Sequence, residues 1–360
     1  MRGVYIHIPF CNSICSYCDF CKVLNYNDWA SRYLDALNND IDEYYENDTV
    51  KSIYIGGGTP SSLDINDLMK LFRIIRKFKT KNDFEFTFEC NINDISSELL
   101  LILKENNVNR ISIGVESFDK TNLKFLNRKH EKKDIFNKIK LVKEYGFDNI
   151  NVDLMYALPT ESFCTLKKDV KNILKLDVDH ISTYSLILEE HTMLKNKNIN
   201  NIDEELDYKM YKYICKKLKK KGYSHYEVSN FARNNKYSRH NVIYWNNDEY
   251  YGFGRGSHGD VNDNRYENTR SLTKYLNNEF RFDEVLVSTL EAMENEVMLG
   301  LRKLSGVSVE DFEKRFKKSI FDVFKVQEAL DSGNLIYEDG FIYIPEDKIY
   351  VMNEIINMII

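Results

Sequence analysis

Six short runs rich in Ile, Val, Phe and Tyr, each followed by a stretch with helical spacing, constrain this chain more than any other feature. The runs are Val4–Ile8, Ser52–Ile55, Phe84–Phe88, Arg110–Val115, Ile150–Met155 and Ile181–Leu188. Their composition is that of buried parallel strands. Between them apolar residues recur three or four apart. Leu68, Leu71, Phe72 and Ile75 follow a candidate cap at Asp64, while Ile135, Ile139 and Val142 lead to a stop at Gly146. Alternation at this rhythm predicts an α/β fold, a parallel sheet with helices outside. Eight such units close a full barrel, so six predict a partial (β/α)6 barrel over residues 1–190, with functional side chains at the C-terminal ends of its strands.

The remainder predicts two further parts. Residues 191–282 read as an extension of the barrel, with a helix ending in Lys216–Lys221 before Gly222, where cations favour the helix macrodipole, and then short strands. Residues 283–360 read as helix, helix, then Leu335–Tyr337, Phe341–Ile344 and Lys348–Met352 as strands, closing with Asn353–Ile360. That order suits a small winged-helix-like α+β domain. A length of 360 residues exceeds what one core usually organises.

Composition narrows the function classes. Fifty basic against fifty-six acidic side chains leave a net charge of -6, which offers phosphate backbones no broad positive field and argues against nucleic acid. No run approaches the length of a membrane span, and the N-terminus lacks the apolar stretch and cleavage site of a signal peptide. Seven cysteines is an odd number, and four of them crowd between Cys11 and Cys21, too close to staple distant parts of a fold. This usage predicts a reducing, cytoplasmic compartment and a metal site.

The metal site is expected at Cys11, Cys15 and Cys18, directly after the first strand and Pro9-Phe10, with Tyr17 beside the third thiol. Three thiolates can hold three irons of a 4Fe-4S cube and leave the fourth without a protein ligand. Such an open iron is where S-adenosylmethionine (SAM) is chelated in radical-SAM proteins. A structural zinc site would instead use well-separated CxxC pairs, and there is no second pair. Cys21 reads as a nearby thiol outside the ligand set, and Cys90, Cys164 and Cys215 as small core residues.

At the end of the second run stands Gly56-Gly57-Gly58-Thr59-Pro60, where missing side chains would let a ligand approach the backbone or simply make a turn. The third, fourth and fifth runs deliver Glu89, Glu116 and Asp153 to the same rim. Three carboxylates in one crevice repel unless cations or hydroxyl donors are bound there, and SAM offers a sulfonium, an ammonium and ribose hydroxyls. Arg128 could pair with SAM's carboxylate through its planar fork.

The whole pattern resembles the radical-SAM haem chaperone family HemW, related to the oxygen-independent coproporphyrinogen III oxidases. The matching stretches are Tyr5–Cys11, Gly56–Ser61, Ser112–Phe118, Asn151–Met155, Tyr184–Leu186, Tyr226–Phe231 and Ser238–Trp245. The resemblance implies SAM contacts at Tyr5, Tyr17, Gly57, Gly58, Thr59, Glu89, Glu116, Arg128 and Asp153. It also implies a part in haem binding for His240, Asn241, Tyr244 and Trp245, with His240 a candidate axial ligand and His258 a weaker one. A histidine hydrogen-bonded within a polar loop is the alternative for His240. His7, in the first strand, reads as structural. The chain departs from the family pattern with Glu116 where relatives usually have Gln, and with no proline in the Cys-Asn-Ile-Asn-Asp stretch after Glu89.

Two functions compete on this basis. One is a chaperone that carries haem as cargo to haem-accepting proteins, respiratory ones among them, with an electron donor such as a flavodoxin or ferredoxin and contact at a membrane surface without spanning it. The other is coproporphyrinogen III oxidase, by SAM-derived radical decarboxylation. The first strand begins at Val4, without the oxidases' preceding extension, and Cys21 stands three residues after Cys18 rather than two; both features favour the chaperone.

Overall fold

The computed structural model describes residues 2–25, 28–190, 192–197 and 199–360. All six expected runs are strands: β1 (Gly3–Ile8), β2 (Thr49–Gly57), β3 (Lys79–Asn91), β4 (Arg110–Glu116), β5 (Ile150–Tyr156) and β6 (His180–Ser185). They pair in parallel in that order. The sixth ends at Ser185 rather than Leu188. Helices connect them, and the expected ends hold: Asp64 Oδ1 accepts from the Asp67 N–H, and the helix Lys132–Glu144 ends before Gly146, which has φ +77°.

The later strands extend this sheet at both edges. On one side β7 (Ser224–Glu227) and β8 (Asn230–Ala232) continue antiparallel from β6. On the other, β9 (Tyr250–Phe253) lies parallel to β1, and β10 (His258–Val261), β11 (Asn264–Asn268) and β12 (Arg281–Leu286) follow as an antiparallel meander. The twelve-stranded sheet therefore has seven parallel strands at its centre, one more than the sequence rhythm suggests. Its edge strands β12 and β7 do not pair with each other, so the barrel stays open.

Each strand alternates sharply between its two faces. Val4, Ile6, Ile8, Ile53, Ile55, Phe86, Phe88, Ile111, Ile113, Val152 and Leu154 are buried on the outer face under the helices, where Phe72 of helix Ile65–Ile75 packs on Phe86 and Phe88. The inner face carries Tyr5, His7, Ser52, Tyr54, Glu85, Thr87, Glu89, Arg110, Ser112, Asn151, Asp153, His180 and Ser182. Strands covered on both sides are usually apolar throughout. Here the lumen is polar, and its groups must be hydrogen-bonded or bound to something.

The lower end of the lumen is closed by the seven-residue helix Arg239–Trp245. Glu85 accepts the backbone N–H groups of Arg239 and His240, each at 2.9 Å. The carboxylate thus satisfies donors that a helix start leaves unpaired.

Beyond Leu286 the chain forms a small α+β unit around helix Thr289–Gly300, which starts with a capping box between Ser288 and Glu291. Its three-stranded sheet uses Val307–Ser308, Ile336–Glu338 and Phe341–Tyr343. The expected strand Lys348–Met352 is instead a 3₁₀ turn, Glu346–Val351, leading into helix Met352–Ile359. Ile349, Met352, Ile355, Ile356 and Ile359 are all buried, a spacing of three to four that one helical face satisfies and a strand does not.

Candidate functional site

At the upper rim, Phe10–Cys11 pairs in parallel with Val23–Leu24, so the loop between them is tied at both ends. Its middle is pinned across the mouth: the Ser16 N–H donates to Leu126 O (3.2 Å), Ser16 Oγ to Phe125 O (2.6 Å) and Asn127 Nδ2 to Ile14 O (2.7 Å). The result is a loop whose three thiols face one cavity.

Cys11, Cys15 and Cys18 line that cavity with Tyr17, Gly57, Gly58, Thr59, Glu89, Glu116, Arg128 and Asp153. Thus every expected cluster and SAM residue except Tyr5 lines one cavity. All seven cysteines are unpaired by disulfides, and among the described residues no fourth thiol but that of Cys90 reaches the cavity. Burial pushes the Cys11 thiol up to about 11 and raises those of Cys15 and Cys18, whereas bound iron would hold all three as thiolates. Thr59 Oγ1 donates to Cys11 Sγ at 3.4 Å, a contact that would stabilise a thiolate there. Three thiols converging on a cavity that also holds carboxylates and glycines fit a 4Fe-4S cluster with one iron open to a small polar ligand.

The glycine run has a more specific explanation than an open approach for ligand. A Cβ on Gly56 would lie 2.7 Å from Glu89 Cδ, and Gly57 has φ +113° with its notional Cβ 2.6 Å from the His7 ring. The missing side chains make room first for the protein's own groups. Glu89 is thereby fixed, accepting from Tyr54 OH at 2.7 Å and from the Gly57 N–H at 3.2 Å.

Glu116 closes β4 after an irregularity in its pairing with β5, and its φ is +64°, an uncommon conformation for a side-chain-bearing residue. This turn carries its carboxylate onto Arg128 as a buried ion pair, and Arg128 Nη2 also donates to Tyr17 OH at 3.0 Å. Arg128 is therefore shared with Glu116 and Tyr17, while its buried Nε has no hydrogen-bond partner among the described residues. Gly114 leaves space for the pair, since a Cβ there would lie 2.7 Å from Arg128 Nη2.

Glu89 lies two residues before the end of β3 and Asp153 at the centre of β5, so both sit deeper than strand ends. Burial raises both carboxyl groups, and the Glu116 charge raises Asp153 further. Arg128, paired with Glu116, and Lys22, on the thiol loop, face three carboxylates, which leaves Glu89 and Asp153 without an ion-pair partner in the cavity. A ligand with a sulfonium, an ammonium and hydroxyl donors matches that deficit.

Tyr5 and the residues expected to bind haem lie outside this cavity. Tyr5 lies inside the lumen against Tyr54, with its hydroxyl 3.1 Å from His7 Nδ1. His240 is 1% exposed, with Nδ1 2.9 Å from Ser52 Oγ and Nε2 2.7 Å from Tyr244 OH. Neither nitrogen is free to bind haem iron in this arrangement, which corrects the axial-ligand expectation. Burial lowers His240 to about 3, so the ring is neutral and acts as part of the lumen floor. His258 is exposed and stands 4.0 Å from Glu267, away from the cavity. Cys21 borders a neighbouring groove with Arg255 and Arg270, Cys90 is buried at the cavity wall, and Cys164 is exposed rather than in the core.

Sequence reasoning missed Tyr54, Ser112, Gly114 and Asn151. Asn151 donates to Ser112 Oγ (2.9 Å) and Asp153 Oδ1 (2.8 Å), and its Oδ1 meets His180 Nδ1 (2.6 Å). Their signal was available as polar residues at every second position within runs that otherwise look continuously apolar.

The chain is similar to known proteins in sequence and fold. A family model of the radical SAM superfamily matches residues 5–173, and one of the HemN C-terminal domain matches residues 287–346. A protein of Lactococcus lactis named heme chaperone HemW is 40% identical over 349 residues, 94% of this chain and 91% of its own. A heme chaperone HemW of Bacillus subtilis is 37% identical over 372 residues, covering 99% and 98%. Among solved structures, coproporphyrinogen III oxidase (HemN) from Escherichia coli superimposes with a TM-score of 0.86 at 20% identity, over 99% of this chain and 89% of its own. That last likeness concerns the fold.

Proposed function

We propose, from the premise that this chain belongs to the radical SAM superfamily and within it to the heme chaperone HemW family, that it binds haem and passes it to acceptor haemoproteins. The observation that carries this reading is similarity of 37–40% identity over nearly the whole chain to proteins named heme chaperone, against 20% to the oxidase.

Cys11, Cys15 and Cys18 would hold a 4Fe-4S cluster, and Gly57–Thr59, Glu89, Glu116, Asp153 and Tyr17 would surround SAM. When bound, the cluster supplies one electron at a time to a ligand on its open iron. The chain's own residues orient and shield that ligand. Glu89 is preset by Tyr54 and the Gly57 N–H, Glu116 is held by Arg128, and the pinned loop keeps the thiols facing inward. Because Glu116 stands where a glutamine would also donate, it can only accept from ribose hydroxyls.

Haem-accepting proteins, and a one-electron donor of the flavodoxin or ferredoxin kind, are the partners this role requires. A cytoplasmic location, with contact at a membrane surface at most, belongs to this proposal; among the described residues no helix is long and apolar enough to cross a membrane. The test is titration of anaerobically reconstituted protein with haem beside an assay with SAM, reductant and coproporphyrinogen III. Saturable haem binding without protoporphyrinogen formation is expected, and robust protoporphyrinogen formation would overturn the chaperone assignment.

A further inference from the structure

Two cysteines near the mouth lie outside the expected ligand set, and they are held in different ways. Cys90 is fixed by its place in β3, whereas Cys21 is on the thiol loop itself, three residues after Cys18. Four cysteines are the ordinary ligand set of a 4Fe-4S cluster, and a thiol on so short a tether competes for an open iron at a local concentration on the order of millimolar. Left free, Cys21 would fill the vacancy that SAM needs.

Cys21 is held back from both sides. His7 Nε2 lies 2.6 Å from the Cys21 carbonyl oxygen, which can only accept, so this nitrogen carries the proton and Nδ1 accepts from Tyr5 OH at 3.1 Å. The ring occupies the space that Gly57 leaves, and Tyr33 OH donates to the His7 carbonyl at 2.7 Å. On the other side Gly256, with φ +68°, comes so close that a Cβ there would lie 2.8 Å from both Cβ and Sγ of Cys21. The thiol is turned toward Arg270 O, 4.0 Å away in the groove behind the loop, and does not line the thiol cavity. We propose that His7 and Gly256 clamp Cys21 away from the cluster, so that the fourth iron stays open for SAM. This rests on the reading that Cys11, Cys15 and Cys18 hold that cluster. His7 is a positioning residue: it does not line the cavity and acts on it through the Cys21 carbonyl. Tyr5 belongs to the same clamp, because its hydroxyl proton is committed to His7 rather than to a ligand.

The test compares four forms of the full chain after anaerobic reconstitution: wild type, Cys21→Ala, His7→Phe and the His7→Phe/Cys21→Ala double variant. The readouts are SAM affinity by calorimetry and the SAM-induced change in the electron paramagnetic resonance spectrum of the reduced cluster. Wild type and Cys21→Ala should behave alike. His7→Phe should keep its iron and sulfide yet bind SAM roughly tenfold more weakly or worse, as Cys21 releases its proton and takes the open iron, and the double variant should recover wild-type binding. Rescue by removing a thiol is an outcome that a merely structural histidine would not produce. Unchanged SAM binding by His7→Phe overturns the proposal, as does a double variant that stays as weak as His7→Phe. Tighter binding by Cys21→Ala alone also overturns it, because the thiol would then compete in the native chain. Should His7→Phe fail to fold, His7→Asn, whose shorter amide leaves the Cys21 carbonyl unmet, is read in the same way. If wild type takes up no iron, the cluster reading fails separately, and iodoacetamide labelling of the metal-free chain decides the clamp. Cys21 should react more slowly than Cys15 and Cys18 in wild type and as fast as they do in His7→Phe; equal rates in wild type overturn it.

Discussion

The mouth and the floor of the same lumen are built from the same strands, yet they solve opposite problems. At the floor, polar groups are paired with protein: His240 with Ser52 and Tyr244, His180 with Asn151 and Tyr226, and Glu85 with two backbone N–H groups. At the mouth, three thiols and three carboxylates face Arg128 and Lys22, with burial raising the thiols and two of the carboxyls. A floor whose histidines and glutamate are satisfied by protein groups is a structural element, whereas a mouth whose thiols and carboxylates are not is a binding site.

If that contrast is right, substitutions at the two ends separate into loss of cofactor and loss of stability. The largest effect is expected for Cys18→Ala, which should abolish the iron and sulfide content measured after anaerobic reconstitution while leaving the melting curve of the metal-free chain nearly unchanged. A large fall in metal-free stability would show that the thiol loop is structural.

Next is Glu85→Ala at the floor, which leaves two helix N–H groups without their acceptor and should lower stability by about 2–4 kcal/mol in urea unfolding. Its cluster, once reconstituted, should form normally. A Glu85→Ala chain as stable as wild type would mean that the floor is not the rigid end.

The pH response should distinguish the ends by sign. His240 is held near 3 in the folded chain against about 6.5 when unfolded, so below pH 6.5 the unfolded state binds more protons and stability falls as pH drops. At pH 5 this one group should remove about 2 kcal/mol relative to neutral pH, and His240→Gln should flatten that part of the profile. The raised carboxyls at the mouth act in the opposite sense, since their folded forms bind protons more readily than the unfolded chain. They add stability as pH falls through their folded values, and bound SAM should diminish that gain. A stability profile unaffected by His240→Gln would remove the floor assignment of this residue.

The smallest effect is expected at Gly114→Ala. Its Cβ would press on Arg128 and Glu116 and should weaken SAM binding by roughly tenfold in calorimetry, with little change in melting temperature. Unaltered SAM affinity would show that the Arg128–Glu116 pair does not shape the ligand site.

Much of the mouth is legible in the amino-acid order alone. The Cys11-x3-Cys15-x2-Cys18 spacing, the glycine run and the carboxylates on successive strands all lie in short segments whose order along a parallel sheet brings them to one end. The floor is hidden from such a reading. His240 reads as a ligand when its sequence neighbours alone are considered, because its partners Ser52 and Tyr54 are nearly 190 residues away. Lys348–Met352 misreads as a strand for a related reason: five residues are too few to reveal a period that only the burial of Ile355, Ile356 and Ile359 completes.

By itself the sequence determined the alternating β and α elements, the helix limits at Asp64 and Gly146, and the three-thiol loop after the first strand. These depend on local spacing and on the conformational limits of a few residues. Only the tertiary structure decided which face of each strand is the lumen, that β9 from residues 250–253 joins β1 as a seventh parallel strand, and that the buried Nε of Arg110 has no hydrogen-bond partner among the described residues. Strand pairing and burial are set by groups far apart in the chain, and no local pattern records which distant donor will meet which acceptor.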